Sequence, residues 1–209
     1  MKKTLMTMIL AGIMVISGYS QRFEFSALGA YQFGGVVDET TQAGGEFTYG
    51  EALGISGSQS FGLIFGYRLL PKMKLEISLD RQPTQLNHHQ VVEGTEDREV
   101  TKLSDVDVDY YMVGLIYDWS TTKTRPFIGA SLGILQMTPE GDLKSESHPA
   151  FAPVIGLNTF AGSHFAFRLQ VRFLLSQMPE GSLFYDEYNH HKETYMAQYQ
   201  FGFGATVAF

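Results

Sequence analysis

Two pairs of adjacent histidines are the side chains of this chain best suited to hold a metal ion. They are His88-His89 and His190-His191, and acidic residues lie close to both pairs in the sequence. Imidazole nitrogens combined with carboxylate oxygens are ligands for zinc or copper. Adjacent histidines on an acidic loop are more often solvated polar residues, however, and spacing alone carries no ligand geometry. We therefore expect no metal and no other cofactor, and name these four histidines as the candidates if a metal does bind.

Composition excludes several other kinds of chemistry. The 209 residues include no cysteine, which rules out thiol catalysis, a cysteine zinc site and a disulfide framework. The formal net charge is −7, and a nucleic-acid partner would require a basic surface. We therefore expect no nucleic-acid partner.

The first 20 residues have the pattern of an export signal. Lys2 and Lys3 form a positive start, Leu5 to Ile16 form an apolar run, and Gly18 and Ser20 supply small residues before Gln21. The apolar run is shorter than the roughly 20 residues that a spanning helix needs. We predict a signal peptide over 1–20 and a single mature domain over 21–209. Cleavage of the signal peptide removes two lysines and no acidic residue, so the net charge changes from −7 to −9.

Beyond residue 21, apolar residues alternate with polar or small ones, which is the pattern of β-strands with two different faces. The final segment shows it most clearly, since aromatic and aliphatic residues occupy every second position from Tyr195 to Phe209. Pro153 is interpreted as the start of the sixth strand, because a proline cannot donate to a strand ladder. Eight strands are predicted, over 22–35, 58–70, 73–82, 106–119, 126–137, 154–161, 165–176 and 195–209.

The connections between these strands alternate in length. The short ones are 70–72, 120–125 and 162–164, and the long polar ones are 36–57, 83–105, 138–153 and 177–194. Short turns at one end and long loops at the other are typical of transmembrane β-barrels, whose termini share the short-turn end. The predicted fold is an all-β, eight-stranded antiparallel up-and-down transmembrane barrel. A soluble barrel of lipocalin type is the structural rival, but its narrow interior has little room for so many bulky aromatics.

The fourth strand leaves one question open. If Val106, Val108 and Tyr110 face outward, then Asp107 and Asp109 face the lumen. Continuing that alternation turns Asp118 outward and Tyr117 inward, which conflicts with a ring of aromatic residues at the rim. A bulge near Tyr110-Tyr111 would reverse the alternation. The predicted ring of aromatic residues at the rim consists of those near the short turns, namely Phe23, Phe25, Tyr67, Tyr117, Trp119, Phe127, Phe165 and Phe209.

Charged and amide side chains collect on the faces predicted to point inward. In a narrow interior, opposite charges must pair or carry a large desolvation cost. We expect a polar network that fills the lumen, and a selective pore or charge gate is the alternative. Its predicted members are Glu24, Arg68, Lys74, Glu76, Asp80, Arg168, Gln170, Arg172, Gln198 and Gln200.

The last strand resembles the insertion signal of bacterial outer-membrane barrel proteins, in which alternate apolar residues lead to a terminal aromatic. The matching residues are Phe201, Phe203, Ala205, Val207 and Phe209. With the export signal, the alternating strands and the segment Arg125 to Gly133, the chain is similar to the small Gram-negative barrels of the OmpA/OmpX type. The resemblance implies an outer-membrane location, recognition of the last strand by the barrel-assembly machinery, and contact with membrane lipid and lipopolysaccharide.

The same resemblance limits what function can be expected. A structural or surface-interaction role, with a protein partner at the long extracellular loops, is the prediction, and enzymatic activity is not expected. The alternatives are a narrow channel and a lipid-modifying enzyme that uses histidine with serine or aspartate at the outer rim. Residues at roughly that height are His148, His190, His191, Ser176 and Ser182. No motif fixes a nucleophile, a base and an orienting group among them.

Overall fold

The alternation of the sequence builds strands throughout the part of the chain that the structure describes. The computed structural model describes residues 22–35, 51–91, 98–141, 144–178 and 194–209. Within these ranges, no helix is long and apolar enough to cross a membrane. The strands there are β1 (Phe23–Phe33), β2 (Glu51–Ile55), β3 (Ser58–Leu70), β4 (Met73–Val91), β5 (Arg98–Asp118), β6 (Thr124–Pro139), β7 (Glu146–Ala161), β8 (Phe165–Met178) and β9 (Thr194–Ala208). The predicted signal peptide lies outside the described residues.

The strands close into a ring. From β3 to β9 each strand pairs antiparallel with the next, and β1 pairs with both β3 and β9. At the seam, the backbones of Phe23 and Phe209 donate to each other's carbonyls, with N···O distances of 3.3 and 2.8 Å. The short β2 pairs with the far end of β4, where it continues the line of β3 beyond Ser56 and Gly57. The predicted eight-stranded antiparallel barrel is confirmed, and β2 is an addition to it.

The three predicted short turns all lie at one end of the barrel. Turns at 71–72, 119–123 and 162–164 connect β3 to β4, β5 to β6 and β7 to β8. Gly162 has a φ of 89°, a left-handed conformation that glycine adopts without strain in so tight a turn. The start of β1 and the end of β9 are at this same end, so the predicted asymmetry of the barrel is confirmed.

The opposite end contains more strand than predicted. The stretch 83–105 was expected to be a loop, but β4 continues to Val91 and β5 begins at Arg98, with the two strands paired over this whole length. The sixth predicted strand was also too short, since β7 begins at Glu146 rather than at residue 154. These parts of the strands lie beyond the apolar belt described below, so most of their outward residues are polar. That polar composition is why the sequence predicted loops there.

Several prolines lie inside strands, and Pro153 is one of them, which corrects the prediction that it starts a strand. Pro153 is in β7 at the point where the ladder to β8 is interrupted between Phe151 and Val154. Pro149 lies beyond the last residue pair of that ladder, and Pro83 lies beyond the last pair of β4 with β3. Because a proline has no N–H to donate, it is tolerated where the neighbouring strand is missing or displaced.

Apolar side chains form a belt around the outside of the barrel. On β3, alternate residues from Phe61 to Leu69 face outward while Ser60, Gly62 and Gly66 face the lumen. A belt of this kind covers the roughly 25 Å of hydrocarbon that a membrane barrel must cross. Exposed members on the other strands include Phe25, Ile77, Leu79, Val113, Leu115, Ile128, Leu132, Ile155, Phe167, Leu169, Phe201 and Phe203.

The orientation of β5, left open by the sequence, involves no bulge near Tyr110-Tyr111; instead, the surroundings of its two faces change along the strand. Val106, Val108 and Tyr110 face inward and Asp107 and Asp109 face outward, which is the opposite of the first orientation considered from the sequence. The pairing of β5 with β6 runs from Val106 to Asp118 without a shift in register. The side chains therefore keep their alternation while the chemistry of the two faces exchanges at Tyr110-Tyr111.

This exchange has a direct physical reason. Tyr111, Val113, Leu115 and Tyr117 face outward within the apolar belt, and Asp118 faces the lumen. Beyond the belt the outside of the barrel meets water, so polar residues face outward and apolar residues pack inside. The same exchange occurs on β6, where Ile134 faces outward and Leu135 and Met137 face inward.

We predict that deletion of Phe209 reduces barrel assembly. The deletion removes both backbone hydrogen bonds that end the β1–β9 seam, and it removes the last apolar residue of β9. The expected result is a lower amount of folded protein in the membrane fraction, measured as the band whose mobility on SDS gels changes on heating. Tyr117→Ala, which removes an aromatic from another strand near the same rim, serves as the control. Equal amounts of folded protein for the deletion and the control would contradict the prediction.

Candidate functional site

The lumen holds the largest concentration of buried charge in the described chain. Next to the short-turn end, Arg68 pairs with Glu24 and donates through Nη1 to Asp118 Oδ2 at 3.0 Å. Lys74 Nζ lies 2.8 Å from Glu24 Oε2 and 3.1 Å from Glu76 Oε1. These contacts form a continuous chain of alternating charges across the lumen.

Two arginines on β8 continue this network toward the other end. Arg168 donates to both carboxylate oxygens of Glu76, at 2.7 and 2.9 Å. Arg172 does the same to Asp80, at 2.8 and 2.9 Å. Such paired N–H···O bonds hold a guanidinium and a carboxylate in one plane. The pairs join β8 to β4 directly across the barrel.

The charges in this network balance. Four carboxylates and four basic side chains take part in its ion pairs, all facing the lumen. Lys74 and Arg168 are 0% and 1% exposed. A buried charge without a partner would cost several kcal/mol. The close pairing makes the interior stable as a neutral plug.

Amide side chains form the next layer of the lumen. Tyr110 Oη and Gln32 Nε2 each donate to Gln198 Oε1 at 2.7 Å, and Gln198 Nε2 donates to Gln82 Oε1 at 3.3 Å. Gln200 Nε2 lies 3.3 Å from Asp80 Oδ1 and links this layer to the charged one. A cavity of about 20 Å³ lies beside Arg168 and Arg172. That volume is roughly enough for a single water molecule.

One aromatic residue belongs to the plug rather than to the rim. Phe127 was expected in the outer aromatic ring, but it faces the lumen and is 0% exposed. Arg168 Cζ lies 4.5 Å and Lys74 Nζ 5.6 Å from the centre of its ring. Both distances are typical of cation–π contacts. Gly156 makes room for the ring, since a Cβ at that position would lie 2.3 Å from Phe127 Cζ.

The structure brings together the predicted lumen residues. Glu24, Lys74, Glu76, Asp80 and the predicted residues of β8 and β9 are buried, and Arg68 is half-buried. Sequence reasoning missed Asp118, Phe127, Tyr110, Gln32 and Gln82. Asp118 and Tyr110 would have followed from a correct orientation of β5, and the two glutamines have the same inward parity as Glu24 and Asp80.

Beyond the amide layer the lumen becomes apolar. Val106, Val108, Leu135, Met137, Met178 and Met196 belong to one continuous cluster of buried side chains, together with Ile55 and Leu86. We call these residues the apolar cap. The cap lies at the end of the barrel opposite the short turns, above the polar plug.

The residues considered for hydrolytic catalysis meet only in part. His148 faces the cap, and its Nε2 lies 3.0 Å from Glu146 Oε2. Ser176 is also buried, but no hydrogen bond joins its Oγ to His148. A nucleophile and its base are expected within hydrogen-bonding distance of each other. Ser176 and His148 are therefore not assembled as a catalytic pair, and Ser182, His190 and His191 lie outside the described residues.

Of the two histidine pairs considered as metal ligands, the structure describes only His88-His89. His88 and His89 are in β4, paired through their backbones with β2 and β5. Among the described residues, no group of three or more histidine, aspartate and glutamate side chains could hold a metal ion.

The residues of the proposed assembly signal share the outer face of β9. Phe201 and Phe203 are 52% and 59% exposed, and Ala205, Val207 and Phe209 are half-buried on the same face. Phe203 stacks on Phe167 of β8 with an interplanar angle of 8°. The stripe is therefore continuous with the apolar belt.

We predict that Arg168→Met destabilises the barrel by about 3–5 kcal/mol, because it leaves the buried Glu76 without its bidentate partner. The double variant E76M/R168M is expected to recover most of this loss. Equilibrium urea unfolding in lipid vesicles measures both. The exposed pair of Arg81 with Asp107 supplies the control, since R81M removes a solvent-exposed charge and should destabilise the barrel far less. An R168M variant no less stable than R81M would contradict the prediction.

Known proteins resemble this chain in structure but not detectably in sequence. No family model matches the sequence, and no curated protein matches it. Among solved structures, the outer-membrane protein OprG from Pseudomonas aeruginosa aligns with a TM-score of 0.60 at 12% identity, covering 91% of this chain and 96% of its own. Neisserial surface protein A aligns with a TM-score of 0.58 at 12% identity, over 90% and 97% of the two chains.

A third similar structure is the N-terminal β-barrel domain of OprF from Pseudomonas aeruginosa. It has a TM-score of 0.50 and 14% identity, and it covers 91% of this chain and 98% of that one. All three alignments span nearly the whole of both chains. At these identities the likeness concerns the fold and not a shared role. The chain has the fold of the small eight-stranded β-barrels of bacterial outer membranes.

Proposed function

We propose that this protein is an outer-membrane barrel with a closed lumen, which binds a protein partner at its extracellular end. The apolar belt supports a membrane location, because soluble monomeric proteins rarely expose large contiguous apolar surfaces. The predicted signal peptide over 1–20 accounts for export. With the short turns and both termini in the periplasm, β2 and the long ends of β4 and β5 project outside the cell.

The plug carries the proposal that the lumen is closed. An eight-stranded barrel is just wide enough for its own side chains, and here they pair across it in two layers. The Glu76–Arg168 and Asp80–Arg172 pairs cross the whole width between β4 and β8. Opening a pore would require breaking these pairs in a poorly hydrated interior. The apolar cap adds a second barrier for ions.

The extracellular end offers an unusual surface for a partner. The ladder between β5 and β6 ends where the Glu140 amide donates to the Asp105 carbonyl at 2.8 Å. Beyond it, residues 98–104 of β5 pair with β4 on one side, except for Leu103 at a shift in register, and with no described strand on the other. Val100 and Leu103 on this segment are each 52% exposed. We call residues 98–104 the open edge.

An open edge of this kind suits an extended segment of another protein. Its free N–H and C=O groups can continue the sheet, and the exposed apolar side chains can select the added strand. We therefore infer that the partner docks as an added strand. Catalysis on lipid is the competing function, and its buried serine and histidine would need to open toward a substrate. Unchanged lipid A profiles in a deletion strain would count against the enzyme.

We predict that the purified protein does not conduct ions in planar bilayers. The double variant R168S/R172S removes both cross-lumen guanidinium groups and should permit small conductance events. R81S, which removes the outward-facing arginine, should behave as the unaltered protein. Steady conductance by the unaltered protein would refute a closed lumen and favour the channel.

We predict that a photo-cross-linking amino acid at Leu103, in intact cells, captures a protein partner. The same amino acid at Val113, which faces outward within the apolar belt of the same strand, is the matched control. Mass spectrometry of the cross-link should map it to an extended segment of the partner. Cross-links that form equally at both positions, or that map to a helix, would contradict docking at the open edge.

A further inference from the structure

The apolar cap contains an unusual group of sulfur atoms. Met137, Met178 and Met196 are each at most 1% exposed, and they come from β6, β8 and β9. All three belong to the same cluster of contacting side chains. Thioether sulfurs are soft, polarisable ligands that favour Cu(I) over harder ions. Packing alone would also use methionine, because its flexible side chain fills irregular gaps.

β7, which lies between β6 and β8 and contributes no methionine to this group, contributes a histidine at the same level. His148 pairs with Leu135 of β6, which is two residues before Met137 on the same inward face. On the other side, Ala150 of β7 pairs with Ser176 of β8, and Ser176 pairs with Met196 of β9. His148 and Met178 each lie two residues beyond the Ala150–Ser176 pair. The register therefore collects one imidazole and three thioethers in one layer of the lumen.

The surroundings of the His148 ring favour the tautomer that a metal requires. It is 3% exposed, and its Nε2 lies 3.0 Å from Glu146 Oε2. A carboxylate that accepts from one ring nitrogen fixes the proton there and leaves the lone pair on the other. That other nitrogen, Nδ1, is buried and has no hydrogen-bond partner. An unpartnered buried nitrogen is costly unless it serves as a ligand.

We propose that Met137, Met178, Met196 and His148 Nδ1 form a binding site for a soft monovalent cation, Cu(I) or Ag(I), at the extracellular end of the lumen. Four neutral ligands suit a single positive charge better than a divalent one in apolar surroundings. The Glu146 carboxylate, one shell farther out, balances that charge. This site uses none of the four paired histidines considered from the sequence.

The experiment is a titration of the folded protein in detergent with Cu(I), against a chromogenic Cu(I) chelator under anaerobic conditions. The unaltered protein should bind about one equivalent. The variant M137L/M178L/M196L keeps side-chain volume and should lose the binding. Glu146→Gln should weaken it roughly 10–100-fold, as loss of an outer-shell partner does. M112L, which alters another buried methionine of the same cluster, should bind as the unaltered protein does.

Two further measurements keep the outcome decisive. X-ray absorption of the unaltered protein with Cu(I) or Ag(I) should show sulfur ligands and one nitrogen, whether or not the variants fold. The variant H88Q/H89Q/H190Q/H191Q should retain the site. Absence of binding, a metal shell of nitrogen and oxygen only, or loss of binding in that histidine variant would each overturn the proposal.

Discussion

Every other feature of this protein depends on the closure of its backbone ladder. In hydrocarbon an unpaired N–H or C=O group has no water to bond, so a sheet can cross a membrane only if it has no edge. The pairing of β1 with β9 removes the last edge, and prolines lie where the ladder is already interrupted. Closure with eight strands also sets the width of the lumen, which leaves room for side chains and little else.

That narrow lumen explains why the charges inside it are so thoroughly paired. Small residues and charged residues alternate with the bulky outward ones, and each charged group must meet its opposite across a few ångströms. The result is a neutral plug in which arginines of β8 meet carboxylates of β4. Phe127 takes part because two cations stabilise the face of its ring, while Gly156 leaves space for it.

The barrel changes character at the border of the apolar belt. Within the belt the outward side chains are apolar and the lumen is polar; beyond the belt the outward side chains are mostly polar and the interior is apolar. The outer section therefore resembles the core of a soluble β-protein set on top of a membrane barrel. The apolar cap, the proposed cation site and the open edge all belong to this section. They exist because β4 and β5 continue well past the bilayer.

Much of this architecture follows from the sequence, because alternation is a local property. A strand places successive side chains on opposite faces, so the eight strands, the short turns and the inward parity of Glu24, Arg168 and Gln200 could be predicted. Local pattern also indicated which residues are charged inside the lumen, since lipid tolerates no charge on the other face.

The tertiary structure alone decided which environment each face meets and which residues touch. Val106 and Val113 lie on opposite faces of β5, and both are apolar because one lies beyond the belt and the other within it. That height depends on the tilt and register of all the strands, which no single segment encodes. The same register brings His148 to the level of Met137 and Met178, because the pairing of β7 with β6 and with β8 fixes how far each strand is displaced along its neighbour.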